Sequence, residues 1–192
     1  MIRYPSLVSP MLSKWQTLST VVAFRNKWLT VLLDQVRLPG GKVYEYTRIH
    51  RDSQGVGVAV LDERGRILLE REYRHAVGEV IWQLPGGLYG PDEEPLAAAQ
   101  RELREETGLD AEEWSELGRF HDNPALTNAV NTLYLARKVR QAQVAAPDHA
   151  EFVTAEWCDL AWVQSAARRG EITDRTVLCA LAFLWAFRGL SL

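Results

Sequence analysis

The chain is poor in cysteine. Cys158 and Cys179 are the only two in 192 residues. Neither sits in a CxxC pair or a Cys/His cluster, which argues against a disulfide framework and a thiolate zinc site. Both read as small buried thiols in a reducing compartment, the cytoplasm. Long apolar runs are also missing. The longest, 177–187, is too short to span a bilayer and reads as a buried helix. The stretch MIRYPSLVSPMLSKWQTLST mixes proline and polar residues where a signal peptide needs an apolar core, so no targeting segment is expected. There is no excess of positive charge: 22 Lys and Arg stand against 25 Asp and Glu, a net charge of −3, with a pI near 5.8. That balance provides no electrostatic footprint for nucleic acid or an anionic membrane, and neither is expected as a partner. No internal repeat or low-complexity tract occurs.

What is present is ordinary globular material, 47% hydrophobic and 24% charged, enough for one domain with a small extension. β-like runs at 21–24, 28–36 and 42–49, the last two split by Leu38-Pro39-Gly40-Gly41, predict a small antiparallel sheet. The run Gly55–Leu61 reads as a buried strand, and the turn Asp62–Gly65 predicts a hairpin with a strand over 66–74. Short strands follow at 79–84, 114–120, 131–137 and 152–159. Helices are predicted over 95–107, stopped at Gly108, over 160–169, and from a cap at Thr173 or Asp174 to about 187. Antiparallel strands mixed with separate helices make the class α+β. The predicted division is an N-terminal β-domain over 1–52 and a main domain over 53–192.

The helix over 95–107 carries an oddity. Glu102, Glu105 and Glu106 fall at i, i+3 and i+4 on one face, where like charges repel. Leu96, Ala99 and Leu103 form an adjacent apolar stripe for packing. From these residues alone two readings stand. One is a solvated face in which Arg101 and Arg104 pair with the acids. The other is a site for a hard divalent cation, which takes oxygen ligands.

Upstream spacing decides between them. Gly87 is followed by five residues, Glu93, seven residues, and then Arg101-Glu102-Leu103-Arg104-Glu105-Glu106-Thr107-Gly108-Leu109. The pattern G-x5-E-x7-R-E-U-x-E-E-x-G-U, with U a bulky aliphatic, arises by chance with odds on the order of one in a million or less. The segment resembles the Nudix box at every defining position. The resemblance implies an α/β/α sandwich around a mixed sheet, with the box as loop–helix–loop. It also implies hydrolysis of nucleoside diphosphates linked to another group, with Mg2+ or Mn2+ as cofactor. Glu102 and Glu106 would be the main metal ligands, and Glu105 a further ligand or the group that positions water. Arg101 and Glu93 would orient the glutamates. Gly87 would supply a backbone shape suited to glycine.

Looser resemblances lie outside the box. Arg71-Glu72-Tyr73-Arg74-His75 and Trp82-Gln83-Leu84-Pro85-Gly86-Gly87 are similar to the R-Q-Y-R-H and W-E-L-P-A-G signature of ADP-ribose and ADP-sugar pyrophosphatases. That similarity implies Arg71 and Arg74 as substrate contacts, with guanidinium matched to phosphate, and the Gly86 carbonyl as a metal ligand. Gln83 replaces the usual Glu. Gly86 replaces the usual Ala, a change expected to be mild. Pro124, sixteen residues after Gly108, resembles the loop proline of the same group. Residues 20–50 are similar to its N-terminal domain, which implies a homodimer with exchanged strands. Trp28, Tyr44 and Tyr46 are candidates to stack on the base, with Trp28 and Tyr46 preferred. Glu151, six residues before Trp157, resembles a loop glutamate that acts as catalytic base; Asp148 is an alternative, and Glu105 competes with Glu151 for that role.

The expectation is therefore a magnesium-dependent hydrolase of ADP-ribose or related nucleoside diphosphate sugars, releasing a nucleoside monophosphate and a sugar phosphate. The rivals are a hydrolase of GDP- or UDP-hexoses or (d)NTPs, and a non-catalytic nucleotide-sensing module.

Overall fold

The computed structural model describes residues 14–142 and 154–188. Contacts divide the chain into two compact units. One draws on residues up to Asp52 together with Asp122–Ala129. The other comprises Ser53–His121 and the chain from Val130 onward.

The first unit is a three-stranded antiparallel sheet, β1 (Gln16–Arg25), β2 (Thr30–Arg37) and β3 (Val43–His50), in the order β1-β2-β3. β1 begins five residues earlier than its apolar run predicts. It is exposed along its whole length, so no inward face imposes an alternation that could be read. Trp28 lies before β2, in a turn where the Asn26 side-chain oxygen accepts hydrogen bonds from the backbone N–H groups of Trp28 and Leu29 (2.8 and 2.9 Å). Alternate β2 residues, Leu32, Asp34 and Val36, are buried. Asp34 accepts from Thr20 at 2.7 Å and pairs with Arg48, so the three strands share one buried charge with partners on both sides.

The second unit is a sandwich. β4 (Gln54–Val60) runs parallel to β9 (Val130–Gln141). With β7 (Leu88–Tyr89) and β8 (Leu109–His121) they form a mixed sheet ordered β7-β4-β9-β8. β5 (Arg66–Arg74) lies between β10 (Thr154–Asp159) and β6 (Glu79–Gln83) in a second sheet. Helices α1 (Pro95–Thr107), α2 (Leu160–Arg168) and α3 (Arg175–Arg188) complete it.

The expected hairpin of β4 and β5 does not form. The turn is tight, with Asp62 N–H donating to the Arg66 carbonyl at 3.0 Å, but the strands then part into different sheets. β4 is buried on both faces and takes its partners from β9 and β7, as a nearly continuous apolar run in a parallel pair should.

Period-two alternation divides the core into two layers. Val58 and Val60 of β4, Leu68 of β5, and Tyr134 and Ala136 of β9 pack with Ala98, Ala99 and Leu103 of α1. Their neighbours Ala59, Ile67, Leu69, Leu133 and Leu135 pack on the other side with Val163 of α2 and Val177 and Leu181 of α3. The Asp174 side chain caps α3 by accepting from the N–H groups of Thr176 and Val177 at 2.9 and 3.1 Å. Cys158 is buried and Cys179 half-buried, both free, and burial pushes both thiols up. Among the described residues no helix is long and apolar enough to cross a membrane.

Candidate active site

α1 opens at Pro95, whose fixed φ suits the first helical position. It closes at Gly108, left-handed at φ 67°, whose N–H donates to the Arg104 carbonyl. The buried face is Ala98, Ala99 and Leu103; Leu96, expected in that stripe, is 37% exposed. On a helical wheel Glu102 and Glu106 lie near the centre of this face and Leu96 at its edge, so burial tracks the acids rather than the outer leucine. The three acids are consequently unequal. The Glu102 side chain is 14% exposed and that of Glu105 is 54%.

Arg101 gathers the acids. Its Nε and Nη2 donate to the two Glu93 oxygens at 2.9 and 3.0 Å, a bidentate fork. Its Nη1 donates to Glu102 Oε1 at 2.8 Å and Glu105 Oε2 at 3.1 Å. Nη2 also reaches the Leu88 carbonyl at 3.4 Å. The hydrogen bonds to Glu93, then those to Glu102 and Glu105, hold the guanidinium above its ordinary pKa. In return, Arg101 holds the Glu93 carboxyl below the usual carboxylate range.

The loop from β6 completes the cluster. Gly86 N–H donates to Glu106 Oε2 at 2.7 Å, while the Pro85 and Gly87 carbonyls accept from Val58 and Val56 of β4. Here two expectations change. A Cβ on Gly86 would stand 2.2 Å from the Val56 carbonyl oxygen and 2.8 Å from Gly57 Cα. Alanine at 86 therefore requires the backbone to shift, so the Gly86 difference is not mild in this chain. Gly87 is not needed for an unusual φ. It leaves room for Glu102, whose carboxylate oxygen would lie 2.4 Å from an added Cβ.

The donors here are carboxylates and a loop carbonyl, a set of oxygens that fits a hard divalent cation. Among the described residues no three His, Cys, Asp or Glu side chains form a preassembled metal cage. The acids are held instead by Arg101 and the Gly86 amide.

The two arginines of β5 are separated. Arg71 pairs across the strands with Trp82, its guanidinium 5.2 Å from that ring, and Trp82 stands 5.5 Å from Trp162. Arg74 is three residues on, an odd step, so it lies on the opposite face, the one shared with Leu68 and α1. There Nε of Arg74 donates to Gln83 Oε1 at 2.8 Å, and its Nη2 pairs with Glu72 at 3.0 Å. Gln83 stood out in the sequence as a departure from the signature, but its contact with Glu72 did not.

In the first unit, Tyr46 and the segment holding Pro124 come together. The Tyr46 hydroxyl donates to the Ala125 carbonyl, Ile49 N–H donates to the Leu126 carbonyl at 2.8 Å, and the Asn128 side chain makes two hydrogen bonds to the backbone of Arg51. Trp15, not singled out by sequence, meets Tyr46 edge to face at 5.9 Å. Trp28 is 60% exposed, with Lys27 Nζ 4.6 Å from its ring centre. Glu151 and Asp148 lie outside the described residues.

Comparison with known proteins places the fold and the family. The NUDIX domain description matches residues 52–181, and that of the nucleoside diphosphate sugar hydrolase N-terminal domain matches residues 15–49. An ADP-ribose pyrophosphatase of Mycobacterium tuberculosis (strain ATCC 25618 / H37Rv) is 30% identical over 169 residues, 87% of this chain and 81% of the relative. A methanol dehydrogenase activator of Bacillus methanolicus is 30% identical over 139 residues, 72% and 75% of the two chains. A crystal structure of an ADP compounds hydrolase superposes with a TM-score of 0.82 over 92% of this chain and 95% of the other, at 20% identity. With a family match over more than half its length and the box geometry in place, the chain belongs to the NUDIX hydrolase family.

Proposed function

We propose that this hydrolase of pyrophosphate bonds acts on ADP-ribose or related nucleoside diphosphate sugars in the cytoplasm, with magnesium as its divalent ion. The products are a nucleoside monophosphate and a sugar phosphate. The observation that carries the reading is the arrangement of Glu93, Arg101, Glu102, Glu105 and Glu106 around the Gly86–Gly87 loop. The likeness to an ADP-ribose pyrophosphatase over most of both chains supports the substrate class.

Glu102, Glu106 and the Gly86 carbonyl are assigned to hold the metal, with Glu105 as a further ligand. A bound divalent cation neutralises pyrophosphate charge and acidifies a coordinated water. Arg101 orients Glu102 and Glu105. Glu105, the most exposed of the three, is assigned to position the attacking water, a task for which Glu151 competes. Arg74 meets the phosphates. For Arg71 the stacking on Trp82 supports a role in holding that face. Trp28, Tyr46 and Pro124 are assigned to the nucleoside. The chain divides into a β-domain over 1–52 and a hydrolase domain over 53–192, and it works as a homodimer. The apolar side chains exposed along β1, Val21, Val22 and Phe24, support that assembly.

A panel of ADP-ribose, GDP- and UDP-hexoses and (d)NTPs with magnesium, read by product identification, tests the substrate. Glu106→Gln should reduce turnover by roughly three orders of magnitude or more with the fold intact by circular dichroism. Undiminished hydrolysis in that variant removes the assignment of the helix. Glu105→Gln and Glu151→Gln, compared in the same assay, decide which acid serves the water.

A further inference from the structure

Glu72, Arg74 and Gln83 close a ring of three contacts. Arg74 Nε donates to Gln83 Oε1 at 2.8 Å, Gln83 Nε2 donates to Glu72 Oε2 at 2.6 Å, and that same Glu72 oxygen lies 3.0 Å from Arg74 Nη2. The ring depends on what each group can do. A carboxylate only accepts, a guanidinium only donates, and an amide does both. Gln83 is 3% exposed, so water cannot stand in for a lost partner. Arg74 is the most exposed member, its side chain 46% exposed against 19% for Glu72. The ring therefore engages Nε and one terminal nitrogen of the guanidinium while Arg74 stays the most exposed of the three.

The ADP-ribose pyrophosphatase signature has Gln where this chain has Glu72, and Glu where it has Gln83. The two differences touch each other. Relative to that signature, carboxylate and amide change places between the two strands, and in this chain Arg74 meets one of each. A single replacement would not be equivalent. Glutamate at 83 would face Glu72 with two acceptors and no donor. This face already carries Glu70, the cross-strand partner of Gln83, and Glu79, the cross-strand partner of Arg74. Arg71, the nearest other cation on β5, is on the opposite face.

We propose that Glu72 and Gln83 are a reciprocal carboxylate–amide pair that positions Arg74 for the substrate's phosphates, exchangeable together but not singly. This rests on the reading that Arg74 meets the pyrophosphate. The test compares the unaltered full chain with Gln83→Glu, Glu72→Gln and the double exchange, measuring kcat and KM for ADP-ribose with magnesium, and thermal melting. Gln83→Glu raises KM about tenfold or more, the scale of one misplaced charge-assisted contact, and changes kcat by about threefold at most. The double exchange returns KM to within about threefold of the unaltered chain and recovers the melting temperature. The pair is overturned if Gln83→Glu leaves KM unchanged, or if the double exchange is as impaired as Gln83→Glu. Melting that moves while KM does not overturns the positioning role. Absence of turnover in the unaltered chain counts against the substrate reading instead. The pair is then judged by melting: recovery in the double exchange supports it, and no recovery overturns it.

Discussion

β1 and β4 are both valine-bearing strands, QTLSTVVAFR and QGVGVAV, yet every residue of β1 is exposed and nearly all of β4 is buried. Composition separates them in part, since β1 carries Gln16, Thr17, Ser19, Thr20 and Arg25 where β4 carries only Gln54; their neighbours account for the rest. β4 has a partner on each edge and a helical layer on each face, whereas among the described residues β1 pairs with β2 alone. Burial of an apolar strand is thus a property of what the topology brings to it. Among the described residues nothing covers Val21, Val22 and Phe24 of β1, which is why the homodimer proposal places its interface there.

The contrast is broken most severely from the core side. Leu103 is fully buried where α1 meets β4, β5 and β9. Leu103→Ala should cost about 2–5 kcal/mol, the range for a buried leucine whose cavity relaxes only in part. Chemical denaturation measures it. Because Leu103 lies between Glu102 and Glu105, activity should fall as well, and faster on warming than in the unaltered chain. A loss below about 1 kcal/mol would mean that α1 is not packed as described.

The next effect belongs to the other region. Asp34 is the buried charge of the N-terminal sheet, bonded to Thr20 and Arg48. Asp34→Ala should cost about 1–3 kcal/mol, less than a fully buried pair because Arg48 remains 35% exposed and can turn to water. Hydrogen exchange should show faster opening confined to β1, β2 and β3 while the amides of β4 and β9 stay protected.

The pH dependence is smaller. The hydrogen bond from Arg48 holds the Asp34 carboxyl below its usual range. Its stabilisation is present in full above the ordinary aspartate value, about pH 4, and is lost as pH falls through the lowered folded value. Melting followed from pH 6 downward should therefore weaken on the acid side. Arg48→Met should flatten that part of the curve. A curve of unchanged shape would separate the pair from the stability of the sheet.

The boundary between what was readable and what was not follows the range of the interactions. The box was readable because its spacing is local: Gly87, Glu93 and the acids lie on one loop and one helix, and the structure adds how Glu93, Glu102 and Glu105 share Arg101, how the Gly86 amide holds Glu106, and how Gly87 leaves room for Glu102. The parity of Arg71 and Arg74 was also available, since an odd step along a strand changes face, but the motif invited them to be read together. Leu96 misled for a related reason, because the helical period gives a face and not its centre. The parting of β4 and β5 and the return of Asp122–Ala129 to the N-terminal unit depend on partners far along the chain; the Glu72–Gln83 contact lies within one pair of neighbouring strands but needs their register. No local pattern encodes them. Gly86 is the intermediate case: its glycine was visible, but the reason, the nearness of the β4 backbone, was not.

The smallest expected change in chain stability lies at β1, and it bears on assembly. Phe24 is 54% exposed, so within one chain Phe24→Ser removes little buried area and should move the core's unfolding free energy by no more than about 0.5 kcal/mol. If β1 is covered by a second copy, the same change removes an aromatic anchor from that interface and should shift the population from dimer to monomer. Light scattering at several concentrations measures this. Unaltered chains that are monomeric at every concentration would remove the homodimer proposal, and a dimer unmoved by Phe24→Ser would place its interface elsewhere. A side chain nearly silent in folding and decisive in association would mark β1 as an interface strand, in contrast to the buried β4.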